Sequence, residues 1–167
     1  MRLLLDADGI IKLYRAGMLD LVIRTFSCAV PQTVYDEVVT KGKAYFHQDA
    51  EVIETILTGT VTIIPVYRHE HQESRLGTGE LGILSILPRE QNTIVVSDDR
   101  RFLAMLATQG TPFLTPADLP VVLAQRGIVT KGEAKEALDR LRPMIRLAAY
   151  WDALQDLELG GRHHEKE

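Results

Sequence analysis

The chain has a single cysteine, Cys28, in 167 residues. A lone thiol closes no disulfide within the chain and supplies no tetrahedral zinc set, which argues against a disulfide-framed secreted scaffold or a structural zinc module. No apolar run approaches the roughly 20 residues that a bilayer requires. Met1 leads straight into strand-like residues, without the basic, apolar and cleavage segments of a secretory leader. The expectation is a soluble protein of a reducing cytoplasm with no membrane contact. Positive charge is not in excess either: 19 Lys and Arg against 23 Asp and Glu leave a formal charge of −4. That balance argues against indiscriminate nucleic-acid binding, yet it permits a local basic rim. Internal repeats, low-complexity linkers and sharp shifts of composition are also missing, so one domain with one sizeable core is expected.

What is present is an alternation of short apolar, β-branched runs with stretches of helical period, the pattern of a parallel sheet covered on both faces. The runs predict strands over 3–5, 28–30, 61–64, 93–96 and 112–114. Helices are predicted over 8–26 with a break at Gly17, then over 33–40, 48–57, 78–87 and 98–108. After Leu114 the strands cease, and 115–126, 130–142 and 145–157 read as helices.

Asp6 and Asp8 stand where the first apolar run, "LLLDADGII", should continue. Asp is depleted in strands and expensive to bury unpaired. Asp98 and Asp99 follow "TIVV" in the same way. Ligands of open α/β sheets sit outside the carboxyl ends of the strands, so both pairs are delivered to one edge. Glu37 in "PQTVYDEVV" and Glu80 in "LGTGELGIL" are helix acids able to join them. Each has a plainer reading alone: Glu37 as a solvated helix residue, Glu80 as a carboxylate at the positive end of its helix, and one Asp of each pair as an N-cap. Asp8 is the expected cap of the first helix. Capping leaves Asp6 unexplained, and the recurrence at two strand ends favours a cluster. Carboxylates about 4 Å apart repel by roughly 4 kcal/mol at an effective dielectric near 20, so such a cluster calls for protons or a cation. Oxygen ligands without neighbouring His or Cys point to Mg²⁺ or Mn²⁺, ions that handle phosphates.

Two resemblances compete. "LLLDADGII" and "IVVSDD" resemble the first and last motifs of haloacid-dehalogenase-type phosphatases, but "VTIIPVY" lacks the Ser or Thr that should end a middle strand, and no Lys stands before the late acids. "LLLDADGIIKLYRAGMLDLV", "VPQTVYDEVV", "LGTGELGILSIL" and "TIVVSDDRRFLAML", in that order, resemble a PIN domain of the subgroup with a Gly-x-Gly-Glu helix, over about residues 3–127. This resemblance implies a three-layer α/β fold with a central parallel sheet of about five strands. It also implies a metal-dependent endoribonuclease acting on single-stranded or structured RNA, in many cases the VapC-type toxin of a toxin/antitoxin pair. Carried over by position, it gives Asp6, Glu37, Glu80 and Asp98 as catalytic acids, and Asp6, Glu80, Asp98 and Asp99 as ligands of Mg²⁺ or Mn²⁺. Asp8 stands where the family usually has Ser or Thr. A non-catalytic RNA-binding or protein-binding PIN module is the third reading.

RNA is expected over Lys12, Arg15, Lys41, Lys43, Arg100 and Arg101, the cations nearest the acids in sequence. His69 and His71 in "RHEHQE" read as a loop at the mouth of the site. The division expected is 1–127 for the nuclease domain, 128–159 for a C-terminal helical extension of the same domain and 160–167 for a polar tail. The last helix carries Ile145, Leu147, Ala148, Trp151, Leu154 and Leu157 as an apolar stripe, read as core packing or as a groove for a homodimer partner or an antitoxin.

Overall fold

Leu3, Leu4 and Leu5 are consecutive and each 0% exposed. Side chains alternate across a strand, so a run buried at every position needs cover on both faces. The computed structural model, which describes residues 1–45, 47–66 and 76–160, supplies that cover. Strand β1 (Arg2–Leu5) lies at the centre of a five-stranded parallel sheet with β2 (Ser27–Pro31), β3 (Thr62–Ile64), β4 (Thr93–Val96) and β5 (Phe113–Leu114), in the order β3-β2-β1-β4-β5. Leu3, Leu5, Cys28, Val30 and Val96 face one core, while Leu4, Ala29 and Val95 face the other.

The larger core is closed by α1 (Ala7–Arg15), α2 (Leu19–Thr25), α5 (Asp49–Leu57), α8 (Asp118–Gln125), α9 (Lys131–Leu141) and α10 (Leu147–Leu159). The smaller holds Ile83 and Ile86 of α6 (Thr78–Ile86) against Phe102, Leu103 and Leu106 of α7 (Arg100–Thr108). The result is the expected three-layer α/β fold, helices on both faces of a parallel sheet. Gly17, at φ +72°, ends the first predicted helix where expected and turns the chain into α2.

The helix predicted over 33–40 runs further and is not uniformly α. It comprises α3 (Gln32–Tyr35), a π-helical segment (Asp36–Lys41) and the short α4 (Gly42–Ala44). The last two helices pack on the sheet's larger core. Ala134, Ala137, Leu138 and Leu141 of α9 are fully buried in the larger core, and the Arg140 guanidinium donates to the Ala16 carbonyl at 2.9 Å. Helix α10 buries Tyr150, Ala153 and Leu157 but exposes Leu147 and Trp151, so the apolar stripe read from sequence is rotated from the buried one. Among the described residues no helix is long and apolar enough to cross a membrane. His69, His71 and residues 161–167 of the polar tail lie outside the described residues.

The chain builds outward from β1 to β2 and β3 on one side, then returns to place β4 and β5 on the other. The carboxyl ends of β1 and β4 therefore flank the point where strand order reverses, where open α/β sheets leave a crevice.

Candidate functional site

The last paired residues of the two central strands are Leu5 and Val96. One residue further, the Asp6 amide donates to the Val96 carbonyl at 3.1 Å, so Asp6 still belongs to the sheet by its backbone. Its side chain belongs to the helix that follows. The carboxylate accepts from the Gly9 amide at 2.5 Å and is the N-cap of α1. Asp8, the expected cap, instead lies in the first turn, largely exposed, and receives the Lys12 ammonium at 3.0 Å. The chain leaves the strand two residues earlier than the capping expectation assumed. Gly9 makes this possible, since a Cβ there would lie 2.8 Å from Asp6 Oδ1 and 3.1 Å from the Val96 carbonyl oxygen.

The end of β4 mirrors this arrangement. Asp99 caps α7, accepting from the Phe102 amide at 2.8 Å. Between the two caps sits Ser97, fully buried, whose hydroxyl bonds the Asp6 carboxylate while its oxygen accepts from the Asp99 amide at 3.2 Å. Ser97 escaped the sequence reading, although its place between "VV" and the paired acids was a signal. Asp98 points elsewhere. Its side chain is 4% exposed and holds Lys12 at 2.7 Å, and its second oxygen is buried with no partner among the described residues.

Glycine brings the glutamates in. Helix α6 packs across α3, and a Cβ on Gly82 would fall 2.2 Å from Thr33 Oγ1. One on Gly79 would meet Val34 Cγ2 at 3.1 Å and Glu37 Oε2 at 3.3 Å. The approach leaves no room for a Cβ at Gly82 without a shift and little at Gly79, and it sets Glu37, in the first turn of the π segment, against the start of α6. Glu80 turns back to accept from the Gly77 amide at 2.8 Å.

These elements enclose a cleft of about 340 Å³ lined by Asp6, Asp8, Glu37, Glu80, Asp99 and Arg101, with Gly77 and Gly79 behind. The structure thus gathers Asp6, Glu37, Glu80 and Asp99, along with Asp8 at the edge. Asp98 is not among the lining residues. Of the predicted basic rim, only Arg101 lines this cleft. Lys12 is held inward by Asp98 and Asp8, Arg15 pairs through Nε with Asp49 at 3.2 Å, and Lys43 pairs with Glu54. Arg100 is exposed on the first turn of α7, and Lys41 lies in a neighbouring cavity.

The electrostatics match a crowded acidic pocket. Burial pushes the Asp6 carboxyl up to about 7, against the opposing effect of its bonds from Ser97 and Gly9, and Asp8 adds to the rise. Glu80 is also raised, first by burial, then by the charges of Asp99 and Glu37, while the Gly77 amide restrains it. Burial pulls the Lys12 ammonium down, but its two carboxylates outweigh that and its net shift is upward.

As they stand, no three His, Cys, Asp or Glu side chains among the described residues are gathered tightly enough to hold one ion. In donor chemistry the cleft fits a hard divalent cation: its ionisable acceptors are all carboxylates. Asp99 and Glu80 each commit one oxygen to a helix amide and keep the other. The neighbouring charges of Asp99 and Glu37 that add to the rise of Glu80 are ones such a cation would offset.

A family model described as a PIN domain covers residues 2–148. It thus extends past Gly127 through α9. Among curated proteins none matches the chain.

Proposed function

The chain belongs to the PIN domain family, whose members are generally nucleases that use divalent metals and bind nucleic acids, and from that premise we propose that it is a Mg²⁺- or Mn²⁺-dependent endoribonuclease acting on single-stranded RNA. The observation that carries this reading is the shared cleft of Asp6, Glu37, Glu80 and Asp99. Asp6, Glu80 and Asp99 are the proposed ligands, since each is fixed by a backbone amide and so presented without loss of side-chain freedom on binding. A bound divalent ion supplies Lewis acidity, lowering the pKa of a water and neutralising charge on the phosphate.

Glu37 is exposed at the mouth and, in this reading, takes the proton from the attacking water. Arg101 holds a phosphate oxygen at the rim, where a planar guanidinium offers paired donors. Asp98 serves from behind by fixing Lys12, rather than as a ligand. Ser97 keeps the two capping carboxylates at a set spacing. The proposed setting is the cytoplasm, as the toxin of a toxin/antitoxin pair, with a small antitoxin protein or a second copy of the chain as partner.

Single-stranded RNA incubated with the full chain tests the proposal. The expected result is scission with Mn²⁺ or Mg²⁺, none with chelator, and a loss of at least roughly 100-fold in Glu80→Gln. RNA association without scission, surviving Asp6→Asn, would make the protein a non-catalytic module instead.

A further inference from the structure

Beside the acidic cleft lies a larger cavity of about 830 Å³, and the two meet at Glu37 and Gly77. Its chemistry is different. Val38 and Ile53, both buried, give it an apolar floor, and Lys41, Arg15, His47 and Tyr45 stand around it, with Asp49 as the acid that Arg15 engages. Lys41 makes no ion pair among the described residues. Arg15 engages Asp49 through Nε alone, leaving its terminal nitrogens without an acceptor there.

Tyr45 is the telling member. It is 74% exposed, and its ring stacks on no other ring among the described residues. A large exposed aromatic beside an unpaired lysine and an arginine with free terminal nitrogens suits a ligand that repeats a flat face and a negative charge in every unit. From this geometry, and resting on the nuclease reading above, we infer that the cavity is a second subsite for the RNA strand. It holds the nucleotides flanking the scissile phosphate, with a base stacked on Tyr45 and phosphates met by Lys41 and Arg15. The shared wall at Glu37 and Gly77 lets one strand run from this groove into the acidic cleft. It also divides the labour: the acids face the bond to be broken, and the groove supplies affinity that the negatively charged cleft cannot.

The test separates this subsite from the nuclease reading by measuring binding without catalysis. The full chain is titrated, in chelator, against a fluorescein-labelled 12-nucleotide oligouridine and read by anisotropy. Tyr45→Ala is expected to weaken binding roughly tenfold or more, because each stacked base contributes about that much. Lys41→Gln is expected to weaken it and to lower the slope of log affinity against log salt by about 0.7, the value for one phosphate contact on a single strand. Tyr45 and Lys41 are both exposed, so neither variant disturbs the core. Binding within twofold of the parent in both variants overturns the subsite, as does a parent that fails to bind. Tight, Tyr45-dependent binding by a parent that cleaves nothing would retain the subsite and remove the nuclease reading.

Discussion

Burial drives the Asp6 carboxyl from 3.8 to about 7, so folding favours its protonated form. A group raised in this way contributes stability below its unfolded value, and that contribution is lost as pH climbs through the folded value. In chelator, Asp6→Asn is therefore expected to melt above the parent at pH 8, with the gap closing towards pH 4. The shift sets a ceiling of about 4 kcal/mol, at about 1.4 kcal/mol per unit. Thermal unfolding of both proteins across that pH range checks it, and a gap that widened on acidification would refute the assigned cause. The acids themselves were legible in sequence, since carboxylates that interrupt apolar runs need a reason. Which acid caps each helix was not, because the residue at which a strand gives way to a helix is the least sharply written boundary in a sequence. Asp6 rather than Asp8 caps α1, with both lining the cleft, and after β4 Asp99 rather than Asp98 lines it.

At the scale of elements, the site depends on how closely α6 approaches α3. Gly82→Ala would drive a methyl to 2.2 Å from Thr33 Oγ1, so either the Thr33 side chain or helix α6 must shift. The expected destabilisation is about 1–3 kcal/mol, with cleavage lowered to the extent that α6 carries Glu80 away from Glu37. Denaturant unfolding and the RNA assay would read the two effects. Gly59→Ala is the contrast: its Cβ meets nothing within 4 Å, and only the φ of +78° opposes it. It should lower stability by about 1 kcal/mol and spare cleavage. The glycines of "GTGELG" were read from sequence as leaving Glu80 near a helix start, which the bond from the Gly77 amide matches. Their closer purpose, contact between helices, depends on a partner far along the chain. The π segment had no such trace, because one extra residue in a helical turn leaves apolar spacing nearly unchanged.

For the molecule as a whole, the sheet was the most readable feature. Strands buried on both faces are written as unbroken apolar runs, and each predicted run became a strand within about two residues. The C-terminal helices were readable as helices, and an extension packed on the same domain was expected of them. Leu138 is fully buried in the larger core, where α9 helps to close the sheet face. Leu138→Ala is expected to destabilise the entire protein by about 2–5 kcal/mol in a single cooperative transition, measurable by urea unfolding. A separate early transition would show that α9 folds apart from the sheet. The stripe read on the last helix was half right: Ile145, Leu154 and Leu157 pack on the core, while Leu147 and Trp151 are exposed and Tyr150 and Ala153 are buried in their place. Hydrophobicity alone does not tell the two faces apart.

The central claim is that Asp6, Glu80 and Asp99 hold a divalent cation in one cleft, with Glu37 beside them and Asp98 outside it. Calorimetric titration of Mn²⁺ into the parent, Asp99→Asn and Asp98→Asn tests this most directly. The account predicts measurable binding by the parent, at least tenfold weaker binding by Asp99→Asn, and an affinity within threefold of the parent for Asp98→Asn. Equal binding by the parent and Asp99→Asn, or loss confined to Asp98→Asn, would contradict it.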